Sequence, residues 1–211
     1  MPTKRVLIAD DHSVIRKGIK LILTSEFSNM EFDEATDASE VFAKVGAEKW
    51  DAIILDINMP GRNGLDVMKQ LKSEKCSTPI LVFSMHREEL IAVRAFKLGA
   101  SGYVSKDSAD TELVKALHSI FSGRKYITST VAELMASQLG TPESKAPHEL
   151  LSEREYQTFI LIALGKTMAE IANELSLSIP TIGTYRTRII EKTGLKNNAE
   201  IAGYAIRNHL I

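Results

Sequence analysis

Asp10 and Asp11 follow the apolar run Val6-Leu7-Ile8-Ala9, and Asp56 follows Ala52-Ile53-Ile54-Leu55. Ser84 ends the run Ile80-Leu81-Val82-Phe83, and Lys106 follows Gly102-Tyr103-Val104-Ser105. Carboxylates, a hydroxyl and an ammonium therefore each close a strand-like segment. In an open parallel α/β sheet, ligand sites lie beyond the carboxyl ends of the strands. Residues far apart in sequence would then meet in one acidic pocket. Several aspartates draw a hard divalent cation with oxygen ligands, and Mg2+ is the expected one. The cation, Lys106 and Ser84 would together offset the charge of a transferring phosphoryl group, with Asp56 as its acceptor. The plainer alternative, aspartates that cap helices or loops, accounts for each acid singly. It does not account for the three of them with the matching Ser and Lys.

The elements that would hold this pocket follow from the apolar spacing. Short β-rich runs alternate with amphipathic segments, the pattern of βαβ units. Strands are expected near residues 4–9, 30–35, 52–56, 79–84 and 102–105, and helices near 13–26, 38–48, 64–74, 87–98 and 109–121. Ile15, Ile19, Ile22 and Leu23 recur at helical spacing, as do Leu90, Val93, Ala95 and Leu98. Right-handed crossovers then give an α/β domain, a doubly wound five-stranded parallel sheet with helices on both faces. Past Gly123 the signal weakens. One more helix is expected near residues 131–139, and residues 140–147 are polar and rich in breakers, as in a linker.

A second, smaller domain is expected to be all-α. Ser152 with Glu155 makes a capping box that opens a helix to about Leu164. Thr167 caps a short helix to about Leu175, Ser178 caps another through Lys192, and Asn197 or Asn198 begins the last. Ile171, Ala172 and Leu175 would pack one side of a helix pair, and Ile179, Ile182, Ile189 and Ile190 the other. The resulting division is residues 1–122, a linker over 123–148 and a helical domain over 149–211.

At 211 residues the chain suits two domains, and an apolar fraction of 44% is enough for ordinary cores. The net charge of −1 gives no global sign of a nucleic-acid partner. The helical part holds 7 basic and 7 acidic residues, so its positive charge is local: Arg186, Arg188, Lys192 and Lys196 lie close together. One cysteine, Cys76, excludes an intramolecular disulfide and fits a reducing compartment. With no leader pattern and no apolar run of spanning length, a soluble cytoplasmic protein without membrane contact is expected.

Taken together, Ala9-Asp10-Asp11-His12, Leu55-Asp56-Ile57-Asn58-Met59-Pro60-Gly61, Phe83-Ser84, Leu98-Gly99-Ala100-Ser101-Gly102-Tyr103 and Lys106 resemble the receiver domain of two-component response regulators. The segment from Leu151-Ser152-Glu153-Arg154-Glu155 to Ile201 resembles the helix-turn-helix output domain of the LuxR/FixJ/NarL group. The resemblance implies a flavodoxin-like receiver whose Asp56 is phosphorylated by a histidine kinase or a phosphotransfer protein. It gives Asp10 and Asp11 the task of organising Mg2+, with Asp56 and the backbone carbonyl of Asn58 as further ligands. Ser84 and Lys106 would hold phosphoryl oxygens, and Tyr103 would be the aromatic switch that turns inward as Ser84 shifts. Pro60-Gly61 fits the turn that must follow Asp56. Asn58 and His86 stand where relatives tune the lifetime of the phosphoryl group. Asp107 replaces the proline common after the lysine in other receiver groups, a departure familiar in this one.

On the output side the resemblance implies double-stranded DNA as partner and a homodimer when phosphorylated. The second helix of the pair, from Ser178 to Lys192, would enter the major groove. Thr181, Gly183, Thr184, Tyr185, Arg186 and Arg188 would face the DNA, with Arg186 and Arg188 the best candidates for guanine or phosphate and Lys192 and Lys196 for the backbone. Many relatives carry lysine at the position of Gly183 and histidine at that of Tyr185. Other classes fit less well. Aspartyl-phosphate phosphatases of the haloacid dehalogenase type want a second aspartate where this chain has Asn58, so turnover of an external substrate is not expected. A binding module indifferent to phosphate would not need the acidic pocket. Recognition of single-stranded RNA would need aromatic platforms, for which Tyr185 is the lone candidate.

Overall fold

Each apolar run becomes a strand: β1 Lys4–Ala9, β2 Met30–Ala35, β3 Ala52–Leu55, β4 Ile80–Ser84 and β5 Gly102–Ser105. The computed structural model describes residues 3–60, 62–85, 88–138, 146–208 and 210–211. Gly61, His86 and residues 139–145 of the expected linker lie outside these, as does the side chain of Leu90. All strand pairs are parallel, in the order β2-β1-β3-β4-β5. β3 and β4 are buried from end to end, which is why they read as unbroken apolar runs rather than as alternating ones.

Alternate side chains feed two cores. Val6, Ile8, Ile54, Leu81, Phe83 and Val104 pack beneath α1 (Ser13–Glu26) and α5 (Ala109–Phe121). Leu7, Leu55, Val82 and Tyr103 pack on the opposite face beneath α2 (Ala38–Ala47), α3 (Gly64–Ser73) and α4 (Glu88–Lys97). The chain does not leave this sheet at the end of α5. The Tyr126 N–H donates to the Ser101 carbonyl at 2.8 Å, and Tyr126 forms a parallel bridge with Gly102. α6 (Ser129–Gln138) follows, and its Val131 is 1% exposed within the same core as Tyr103, with Met135 packed against it.

The chain divides into two compact units, Met1–Ala136 and Ser137–Ile211. In the second, a 3₁₀ turn at Pro147–Leu150 leads to α7 (Glu153–Ala163), α8 (Met168–Glu174), α9 (Ile179–Thr193) and α10 (Asn198–Arg207). Capping fixes each start. Ser152 with Glu155, and Thr167 with Glu170, form reciprocal capping boxes, while Ser178 and Asn197 cap α9 and α10. Phe159, Ile171, Leu175, Ile182, Ile189 and Ile201 make the core. Ile179 departs from expectation: as the first residue of α9, beyond the turn that faces the core, it is 53% exposed. No helix among the described residues is long and apolar enough to cross a membrane.

Candidate functional site

The sheet order reverses between β1 and β3, the switch point at which open α/β sheets bind ligands. Ala9 and Leu55 are register partners, so the next residues, Asp10 and Asp56, leave the sheet side by side. The Asp56 N–H donates to the Ala9 carbonyl at 2.8 Å, and the Asp10 N–H to the Ala35 carbonyl at 3.0 Å. Asp10, Asp11, His12 and Asp56 each offer a ligand atom, all within 4.8 Å of one another. The sequence-expected acids thus do converge.

Asp10 is held on both oxygens: the His12 N–H donates to Oδ1 at 2.8 Å, and Lys106 Nζ lies 2.6 Å from Oδ2. Lys106 Nζ also lies 3.0 Å from Asp56 Oδ2, with its side chain only 5% exposed. One ammonium therefore bridges two carboxylates. Asp56 is 2% exposed, and its Oδ1 has no hydrogen-bond partner among the described residues. Burial lifts the Asp56 carboxyl above the usual carboxylate range; the Asp10 charge adds to this, against the pull of Lys106. Asp11 is the more open acid, with a side chain 22% exposed and Oδ1 2.7 Å from His12 Nδ1.

The loop after Asp56 is tightly made. Ile57 and Met59 are buried while Asn58 between them is half-exposed beside the pocket, and the Asn58 N–H supports the Asp56 carboxylate. The Asn63 side chain accepts from the Leu65 N–H at 2.7 Å to start α3, and the Gly64 N–H donates to the Ile57 carbonyl at 2.8 Å. A Cβ on Gly64 would lie 2.3 Å from the Asp56 carbonyl oxygen, so only glycine permits this approach. Ser84 is fully buried at the end of β4, in register with Ser105, the neighbour of Lys106. Tyr103 is 1% exposed, so its ring already occupies an inward position.

The donor set suits a hard cation. Three carboxylates face one ammonium, leaving net negative charge and a bare buried oxygen on Asp56.

The second unit presents α9 at its surface. Thr184, Thr187 and Arg188 are exposed, while Thr181, Gly183, Tyr185 and Arg186 are half-buried. Arg186 Nε donates to Asn198 Oδ1 at 2.9 Å, and Lys192 Nζ lies 2.5 Å from Glu155 Oε2. Lys196 is exposed beyond Gly194, whose left-handed backbone (φ 72°) ends the helix. A Cβ on Gly183 would meet only Met168 Cε, at 4.0 Å.

Residues 6–118 match the response regulator receiver domain, and residues 149–205 match the bacterial regulatory proteins of the luxR family. The chain is a response regulator of the LuxR family. Its relatives include the response regulator UvrY of Escherichia coli K12, 32% identical over 97% of this chain and 94% of the relative. Another is the oxygen regulatory protein NreC of Staphylococcus aureus, 32% identical over 98% of this chain and 99% of the relative. Among solved structures, RcsB from Salmonella enterica serovar Typhimurium, bound to promoter P1flhDC in the presence of phosphomimetic BeF3−, aligns with a TM-score of 0.62. It is 27% identical, over 99% of this chain and 98% of that one. The family is one of transcription factors, not of enzymes that turn over a substrate.

Within the receiver, sequence reasoning left three residues without a role. His12 stands beside the acids by adjacency alone. Gly64 is needed for a contact no local pattern announces. Arg16 had a signal: it shares the buried stripe of α1 with Ile19 and Leu23, where a charge is out of place.

Proposed function

We propose that Asp56 accepts the phosphoryl group that switches this regulator. The carrying observation is its buried carboxylate, with one bare oxygen and the other 3.0 Å from Lys106. One Asp56 oxygen attacks phosphorus, the bond from phosphorus to the kinase histidine nitrogen breaks, and the imidazole keeps the electron pair. Asp10, Asp11, Asp56 and the Asn58 carbonyl would hold Mg2+, which when bound neutralises charge on the phosphoryl oxygens. Lys106 and Ser84 stabilise the product, and Ser84 with Tyr103 forms the two-state element that the new charge biases.

The regulator acts downstream of a histidine kinase and controls transcription by binding double-stranded DNA, with α9 as its recognition helix. Thr181, Thr184 and Tyr185 reach for base edges, Gly183 opens the backbone to close approach, and Arg186 and Arg188 flank them. Exposed Arg188 and Lys196 carry most of the phosphate contact, because Lys192 is committed to Glu155. Phosphorylation favours a homodimer, since paired half-sites multiply affinity through effective concentration. A solved structure of two RcsB dimers bound to two parallel DNAs supports DNA binding by dimers. The expected compartment is the cytoplasm.

Intact mass after incubation with Mg2+ and a small-molecule phosphodonor tests the acceptor. A single labile adduct on the wild type and none on Asp56→Asn is expected. An equal adduct on both would move the site elsewhere.

A further inference from the structure

Arg16 lies in the first turn of α1, at the positive end of the helix dipole, where a cation is disfavoured. It is also 9% exposed, and burying a guanidinium is costly unless its hydrogen bonds are met. Neither the helix nor the core gains from this placement. Its fork is spent on two partners outside α1: Nη1 donates to the Asp10 backbone carbonyl at 2.7 Å, and Nε pairs with Glu34 on β2. Glu34 in turn takes Lys20 Nζ at 2.6 Å, so the anchor is itself held by a second cation.

The Asp10 carbonyl belongs to the planar peptide that joins Asp10 to Asp11. Fixing its oxygen fixes the orientation of the Asp11 N–H and Cα. Asp10 and Asp56 have Lys106 to hold their carboxylates; among the described residues the Asp11 carboxylate has only the exposed His12 beside it. The direction of the Asp11 side chain therefore depends on its backbone. We propose that Arg16, anchored by Glu34, is a positioning residue that presets Asp11 for the divalent cation of the acidic pocket. This rests on the reading of that pocket as the Mg2+-dependent acceptor site.

The role predicts an effect on cation affinity apart from fold stability. Residues that orient ligands without touching the metal typically change affinity by about 10-fold or more when removed. In the full chain, Arg16→Gln should raise the Mg2+ concentration for half-maximal phosphoryl acceptance by about 10-fold, with the plateau at saturating Mg2+ retained. Arg16→Lys, which reaches one partner but not both, should fall between Arg16→Gln and wild type. Calorimetric Mg2+ titration should show the same order without phosphodonor. A lowered melting temperature with an unchanged Mg2+ midpoint would overturn the role and leave Arg16 a strut of α1. Should Arg16→Gln fail to melt cooperatively, Glu34→Gln carries the test, since it leaves Arg16 in place without its anchor. An unchanged midpoint there overturns the proposal too. A wild type with no Mg2+-dependent adduct overturns the acceptor reading itself, whereas a normal wild type with unshifted variants overturns only the role of Arg16.

Discussion

Lys192 on α9 and Glu155 on α7 form an ion pair of 2.5 Å, and the Glu155 side chain is 3% exposed. The same Glu155 Oε2 accepts from the Ser152 N–H at 2.8 Å, closing the capping box that starts α7. One carboxylate oxygen thus joins α7, the first α-helix of the output domain, to α9. Removing Lys192 would leave a buried charge with a cap as its main support.

Lys192→Met should cost the output domain about 1.5–3 kcal/mol at neutral pH, the range for hydrogen bonds to charged groups. Burial pushes the Glu155 carboxyl up, but Lys192 and the Ser152 donors outweigh it and hold it below the usual range. A depressed carboxyl stabilises the fold above its unfolded value of about 4.3, and that gain is lost as pH falls through the lower folded value. Thermal melts of the two proteins should therefore differ most near pH 7 and converge in strong acid. A constant gap across pH would assign the loss to packing alone.

The pocket was legible in the sequence because strands buried on both faces read as solid apolar runs. The first polar residue after each run then marks the carboxyl edge of the sheet. Asp10, Asp56 and Ser84 were found in that way, and Lys106 lies one residue past the polar Ser105 that ends the last run. Residues whose partners come from other elements carry no such mark. Gly64 matters because of an approach to Asp56, and Lys192 because of a carboxylate on a different helix. α6 was weakly signalled for a related reason: its buried contribution is mainly one residue, Val131, too few for a periodic stripe.

That placement gives a second test, on the boundary of the receiver. A chain ended after residue 122 loses the Tyr126 bridge to Gly102 and the burial of Val131, whereas one ended after residue 138 keeps both. Full burial of a valine side chain contributes about 1.5–3 kcal/mol. Urea unfolding should place the longer receiver at least about 1.5 kcal/mol above the shorter. Equal midpoints would show that α6 adds nothing to the receiver core.

The raised carboxyl of Asp56 sets a third expectation. A group whose folded value is raised favours the fold when protonated, and that contribution is lost as pH rises through the folded value. In the presence of EDTA, Asp56→Asn should melt higher than wild type at pH 8. The advantage should shrink as pH falls and vanish below about 4, where the unfolded carboxyl is also protonated. An advantage independent of pH would mean that the charge of Asp56 is already fully offset by Lys106.

Gly183 allows stability and DNA contact to be separated on one helix position. With only Met168 Cε at 4.0 Å from an added Cβ, Gly183→Ala should stabilise the output domain by about 0.5–1 kcal/mol, the helix-propensity difference. Gly183→Lys gains part of the same term and adds a cation one turn before exposed Thr187 on the solvent side of α9. On a random-sequence duplex, where phosphate contact dominates, its salt slope should steepen by about 1 relative to Gly183→Ala. Arg188→Ala should flatten the slope by a similar amount, because its guanidinium is exposed on the solvent side of α9. If all three variants share one slope while their melting temperatures differ, that face of α9 does not meet the duplex. The recognition surface would then have to be sought on another helix of the output domain.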